Sequence, residues 1–145
     1  MEKVIIRQAT ASDIPQMNEL FRNDLGYTEC TLKIVENQFA GLDPAREAVF
    51  VAECNSRIAG LIHVEKYNVL YFPPMANLLG IAVASDFRRQ GIGSVILKQA
   101  EAWARQNGIT CIRLNSGSSR TQAHEFYRAQ GYTDGKAQLR FIKTL

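Results

Sequence analysis

The clearest chemistry in this chain lies in seven consecutive residues, Arg88-Arg89-Gln90-Gly91-Ile92-Gly93-Ser94, a basic turn with two glycines directly ahead of an apolar run of helical period. Glycines let a backbone approach an anion closely, amides at a helix start donate to its oxygens, and the helix dipole favours negative charge there. The arginines add charge-assisted hydrogen bonds. The same residues could also do no more than turn a strand into a helix. Spacing excludes two nucleotide loops. A P-loop needs Lys-Ser/Thr after its last glycine, and none follows Gly93. A dinucleotide fingerprint needs a third small residue where Ile96 stands, an acidic residue about twenty positions later, and a place near the start of the fold.

The elements that must position this turn are legible from periodicity. Lys3 to Gln8 reads as a strand, and Thr10 with Asp13 as a capping box for a helix whose apolar face is Ile14, Met17, Leu20 and Phe21. A second helix is expected from Leu32 to Phe39, ended by Gly41 and Pro44. Ala48–Cys54 and Arg57–Tyr67 make a hairpin about Asn55-Ser56. The prolines of Tyr71 to Met75 predict a loop. Asn77 to Ala84 is apolar almost throughout, as in a strand covered on both faces, and Gly80 within it suggests a bulge. A helix follows from Gly91 to Asn107, then a strand at Cys111–Ser116. Ser119 with Gln122 is a second capping-box pattern, opening a helix that Gly131 closes, and Lys136–Leu145 reads as a final strand. This order predicts an α/β protein with a mixed sheet and helices on both faces.

A chain of 145 residues with 46% apolar content predicts one domain, residues 1–145, with a substantial core. The apolar run in the first ten residues is too short for a secretory signal, and nothing approaches a membrane span, so a soluble cytoplasmic protein without a membrane partner is expected. Cys30, Cys54 and Cys111 are far apart and lack C-x-x-C spacing, which predicts buried thiols and no metal site. A net charge of +3 with no basic run among aromatics gives no case for nucleic acid. Charge is nevertheless polarised: residues 1–50 hold eight acidic and five basic side chains, and residues 51–145 hold six and twelve. Such a chain suits an anionic ligand in its second half and a cationic one in its first, although solvated surface charge would give the same count.

A second stretch gives the turn a context. Arg88 to Gly93 fits the pattern Gln/Arg-x-x-Gly-x-Gly/Ala, and Ala123 to Tyr132, "AHEFYRAQGY", carries an aromatic pair on a helix ahead of a glycine. In this order, separated by a helix and a strand, the two motifs resemble the GNAT superfamily of acyl-CoA-dependent N-acyltransferases, and Val4 to Met17 resembles that family's first strand and helix. The resemblance implies a single-domain, mostly antiparallel central sheet of about six to seven strands. It also implies an acetyltransferase, with acetyl-CoA as cosubstrate and a primary amine as acceptor.

Carried onto this sequence, the resemblance places the pantetheine arm along the backbone of Ile81, Ala82 and Val83, with the strand parting near Gly80 to admit it. It places the pyrophosphate on Arg88, Arg89, Gln90, Gly91, Ile92, Gly93 and Ser94, and the pantetheine amides on Asn115. Tyr127 matches the tyrosine that protonates the leaving thiolate, while Phe126 is expected in the core. An alkyl ammonium has a pKa near ~10.4 and must lose a proton before it attacks. Many family members supply a glutamate just before the segment Ile81 to Val83, where this chain has Asn77-Leu78-Leu79-Gly80. His63 and Glu65, two apart on the preceding strand and so on one face, are the available bases, unless ordered water serves alone.

Without a G-x-S-x-G elbow and with two histidines in all, direct transfer in a ternary complex is expected. By the same resemblance, Asp24, Tyr27, Glu29 and Glu36 and the aromatic residues Tyr67, Tyr71 and Phe72 border the acceptor, and a homodimer is possible. The last third is most similar to members that acetylate small amines, among them aminoglycoside and aminoalkylphosphonate N-acetyltransferases. The acidic first half favours a polyamine or aminoglycoside over a phosphonate. A protein lysine or N-terminal amine is the alternative acceptor, and a non-catalytic acyl-CoA sensor the alternative of another class.

Overall fold

A computed structural model describes residues 3–145, which divide into two compact units at Leu114/Asn115. In the first unit the elements are β1 (Val4–Gln8), α1 (Ile14–Asn23), α2 (Leu32–Ala40), β2 (Glu47–Cys54), β3 (Arg57–Tyr67), β4 (Met75–Val83), α3 (Ile92–Gln106) and β5 (Ile112–Leu114). Short 3-10 turns at Ala11–Asp13 and Ser85–Phe87 precede α1 and α3. One five-stranded sheet runs in the order β1-β2-β3-β4-β5, antiparallel except for the parallel pair β4–β5.

Five strands replace the six to seven expected. The segment Lys136–Leu145 has a strand's composition but forms no ladder among the described residues, and Leu139, Phe141, Ile142 and Leu145 in it are exposed. Composition favours a strand only where a partner edge pairs with it. β4 begins at Met75, earlier than its prolines suggested, because Pro73 and Pro74 lie just outside the ladder.

Local chemistry sets each boundary. The Thr10–Asp13 capping box is present, and Arg7 pairs with Asp13 at 2.7 Å and with Glu53 at 3.0 Å, tying the start of α1 to β1 and β2. Thr31 accepts from the Ile34 amide at 3.2 Å and caps α2. Asn55 and Ser56 both adopt positive φ, 50° and 63°, the geometry of a tight hairpin turn.

Both faces of β3 are covered: Ala59, Leu61, Ile62 and Val64 are fully buried. A Cβ built on Gly60 would stand 3.0 Å from Ile92 Cγ2 and 3.4 Å from Ile96 Cδ1, so Gly60 faces α3. Alternation then puts Ile62 and Val64 on that face and Leu61, His63 and Glu65 on the other. The core side of α3 is Ile92, Ile96, Leu97, Ala100, Trp103 and Ala104, all buried. Among the cysteines, Cys54 is buried as expected, whereas Cys30 is half-buried and Cys111 exposed. No helix of the described residues is long and apolar enough to cross a membrane.

The second unit, Asn115–Leu145, contains α4 (Thr121–Ala129). Ser119 does not cap it: the N-cap is Arg120, and no side chain bonds the helix end.

Candidate active site

The sheet opens at β4. Its register against β3 slips at one point, where His63 faces Gly80 and Val64 faces Leu78, leaving Leu79 as the extra residue of a bulge. Pairing with β5 covers only Ala76, Asn77 and Leu78. From Leu79 to Val83 the edge of β4 turned away from β3 therefore has no strand partner among the described residues. Ile81, Ala82 and Val83 lie on this stretch, opposite Ile62, Leu61 and Gly60. An unpaired strand edge of this length can pair with an extended amide-bearing ligand.

Directly after β4, the chain forms a basic turn into α3. Phe87 and Ile92 are buried on either side of it and fix its ends, while Arg88, Arg89, Gln90 and Gly91 are exposed. Arg89 at φ 63° and Gly91 at φ 81° are both left-handed, and Gly91 is the N-cap of α3. Left-handed residues at a helix entrance turn successive amides toward one point, an arrangement that fits the oxygens of a pyrophosphate. Arg57 braces the turn from the hairpin, with its guanidinium 2.7 Å from Asp86 and 4.8 Å from the Phe87 ring centre. Arg88 reaches Asp24, just past the end of α1, at 3.2 Å. Two residues predicted for different ligands are thus brought together.

On the face of β3 away from α3 lies a polar cluster. His63 Nε2 is 2.8 Å from Glu47 Oε1, and the Asp43 amide donates to Glu47 Oε2 at 3.1 Å. Desolvation, the largest influence on the Glu47 carboxyl, works upward, but the Asp43 amide and His63 together hold it below its ordinary value. Glu65 is buried, paired with Arg46 at 2.5 Å and accepting from Asn77 Nδ2 at 2.9 Å. Arg113 donates to Asn77 Oδ1 at 2.7 Å and lies over the Tyr67 ring at 4.6 Å. Both oxygens of Glu65 are occupied, which suits a structural anion better than a proton acceptor, whereas His63 keeps one ring nitrogen turned away from Glu47. No sequence motif singles out Glu47, Arg46, Arg57 or Arg113, which periodicity and spacing miss.

In the second unit, Tyr127 packs edge-on against Phe126 at 5.4 Å and near Tyr132 at 6.1 Å. Burial pushes its phenol up and Arg120 opposes this, so the group is a protonated acid throughout the neutral range. Phe126 is half-buried rather than a core residue. His124 Nε2 lies 2.9 Å from the Gly117 carbonyl oxygen. Asn115 is exposed immediately after β5. Of the acceptor-side residues, Tyr27, Glu29, Glu36 and Tyr71 are exposed, and Tyr71 stacks edge-on against Phe72 at 5.0 Å.

Comparison with known proteins agrees with this geometry. The model of the acetyltransferase (GNAT) family matches residues 14–132. Aminoalkylphosphonate N-acetyltransferase of Salmonella typhimurium is 31% identical over 150 residues, spanning 97% of this chain and 90% of that protein. Aminoglycoside N(6')-acetyltransferase type 1 of Acinetobacter genomosp. 13 is 33% identical over 82 residues, 57% of this chain and 56% of the other. The crystal structure of an aminoglycoside N-acetyltransferase in complex with CoA superposes with a TM-score of 0.87 at 16% identity, covering 100% of this chain and 97% of that one, and so shares the fold. With a bulged, half-paired β4 leading into a left-handed basic turn, and with the family's model spanning most of its length, this chain belongs to the GNAT acetyltransferases, enzymes that use acetyl-CoA as acyl donor.

Proposed function

We propose that the chain transfers an acetyl group from acetyl-CoA to a primary amine of a small, cationic molecule by direct attack in a ternary complex. The observation that carries this is the continuity of the unpaired β4 edge, Leu79 to Val83, with the anion-receiving turn at Arg88 to Ser94. A pantetheine arm pairs with the backbone of Ile81, Ala82 and Val83, the pyrophosphate sits on the amides of the turn, and Asn115 meets the arm's amides. Asp24, Tyr27, Glu29 and Tyr71 border the acceptor.

His63, held by Glu47 opposite the bulge, takes the proton from the acceptor ammonium. The free amine attacks the thioester carbon, forming a C–N bond. A β4 amide steadies the oxyanion, a contribution of ~3 kcal/mol per donor. As the C–S bond breaks, Tyr127 gives its proton to the leaving thiolate and regains one from the amine nitrogen through solvent. Glu65 holds the floor of the site together through Arg46 and Asn77.

Thiol release from acetyl-CoA across aminoglycosides, polyamines and aminoalkylphosphonates tests the reading, with Tyr127→Phe beside the wild type. General acid catalysis is worth about 10²–10⁴ in rate, and the variant is expected to lose that much in kcat. CoA binding without turnover on any amine overturns it in favour of a sensor. Turnover on peptide lysines alone moves the acceptor class.

A further inference from the structure

The pair Asp24–Arg88 joins the acceptor side of the molecule to the turn proposed for the pyrophosphate. Asp24 follows the last turn of α1, and its side chain is only 11% exposed. A carboxylate there meets the negative end of the helix dipole, and near-burial raises its need for a counter-ion. The cation it has among the described residues is Arg88, whose own side chain is 56% exposed.

From this we infer that Arg88 is an exchangeable counter-ion: it neutralises Asp24 in the free enzyme, passes to the pyrophosphate when acetyl-CoA binds, and leaves Asp24 to be neutralised by the ammonium of the acceptor. The inference rests on the acetyl-CoA site described above and adds to it an order of binding and a selection for cationic acceptors. One guanidinium between a carboxylate and a pyrophosphate leaves an excess of negative charge on its acidic side. A second cation relieves that excess only once the first has been drawn away. The carboxylate is thus masked until the acyl donor is in place. Because coupling between two ligands is reciprocal, a cationic acceptor must tighten CoA by the factor with which CoA tightens the acceptor.

Calorimetric titration of the full chain separates this from a fixed Asp24–Arg88 strut. CoA and kanamycin are the probes, each titrated alone and in the presence of the other, into wild type, Asp24→Asn, Arg88→Ala and the double variant. Exposed and half-exposed ion pairs correspond to roughly two- to fivefold in an equilibrium constant. Asp24→Asn is expected to bind CoA about two- to fivefold more tightly than wild type, since Arg88 no longer has to leave a partner. Arg88→Ala is expected to bind CoA more weakly, and adding Asp24→Asn to it should not restore affinity. In the wild type CoA should tighten kanamycin several-fold, and in Asp24→Asn it should leave kanamycin unchanged.

If Asp24→Asn weakens CoA as Arg88→Ala does, the carboxylate merely orients the arginine and the exchange is wrong. Kanamycin affinity that is indifferent to CoA in the wild type, or equally coupled in Asp24→Asn, also overturns it. Failure of the acyltransfer reading would look different, as loss of CoA binding in the wild type or absence of turnover on every amine.

Discussion

His63 stands directly opposite Gly80 in the β3–β4 ladder, at the residue where the bulge of β4 breaks the register. The imidazole is therefore carried at the height of the strand opening by a strand that is itself regular there, and Glu47 on β2 fixes the ring from the other side at 2.8 Å. His63→Gln is expected to lower kcat/KM for the amine by about 10²–10⁴ with the acetyl-CoA KM unchanged. Glu47→Gln, which leaves the imidazole in place but removes its anionic partner, should cost less in kcat and be largely rescued by Asp at the same position. Steady-state kinetics with both substrates varied decides it. A His63→Gln enzyme within threefold of wild type would hand proton removal to solvent.

Acid sensitivity should trace in part to Asp13. The Arg7 guanidinium, at 2.7 Å, is the largest cause of an Asp13 carboxyl held below its ordinary value, with burial opposing and the Thr10 amide assisting. A carboxyl that is more acidic folded than unfolded stabilises the fold above its unfolded pKa of ~3.9, and that contribution disappears as pH falls through the lower, folded value. Charge-assisted hydrogen bonds of this kind contribute about 1.5–3 kcal/mol. Asp13→Asn should therefore lower the thermal midpoint at pH 7, and the gap from wild type should narrow as pH falls below ~3.9 and through the lower, folded value. A gap that persists undiminished at pH 2 would show that the loss is one of packing.

Much of this architecture is legible in the amino-acid sequence, and what is not has a definite physical origin. The turn at Arg88 to Ser94, the hairpin at Asn55-Ser56 and the irregularity near Gly80 follow from local chemistry, since positive φ and missing side chains are properties of single residues. The partnership of Glu47 with His63 depends on a register. Counted outward from Asn55-Ser56, a regular hairpin would set Glu47 across from Val64, on the face toward α3. Ala59 is an extra residue in β3, so Ala52 pairs with Gly60 and Glu47 falls opposite Glu65 instead. One inserted residue moves every later side chain to the other face of the sheet, and nothing in the composition around Ala59 announces it. The final strand failed for the converse reason: Gln138 to Ile142 has the right residue types, but pairing is not a local property.

At Gly60, β3 lies close against both α3 and the proposed donor strand. A methyl group there would lie 3.0 Å from the Ala82 carbonyl oxygen and 3.0 Å from Ile92 Cγ2, one on β4 and one at the first residue of α3. Neither the strand backbone nor a core isoleucine moves cheaply, and overpacking of this sort costs about 1–3 kcal/mol. Gly60→Ala is expected to lower stability by that amount in urea and to raise the acetyl-CoA KM, because the displaced groups belong to the stretch proposed to pair with pantetheine and to the helix entrance proposed to receive the pyrophosphate. An unchanged KM in a destabilised variant would separate the core from the donor site.

Gly91 offers a cleaner division between folding and binding. Its φ is 81°, yet a Cβ built there meets nothing within 4 Å, so the protein itself leaves room for a side chain and only the backbone conformation resists one. Alanine in the left-handed region is disfavoured by roughly 1–2 kcal/mol, whereas asparagine tolerates it. Thermal stability should therefore fall in the order Gly, Asn, Ala. Affinity for CoA should fall in a different order, Gly, Ala, Asn, if the empty space above Gly91 is where the pyrophosphate approaches, because the larger side chain fills it whatever its conformational ease. Melting curves and CoA titrations on the same three proteins compare the two orders directly. If affinity simply follows stability, Gly91 serves the turn alone and the anion lies elsewhere along the helix entrance.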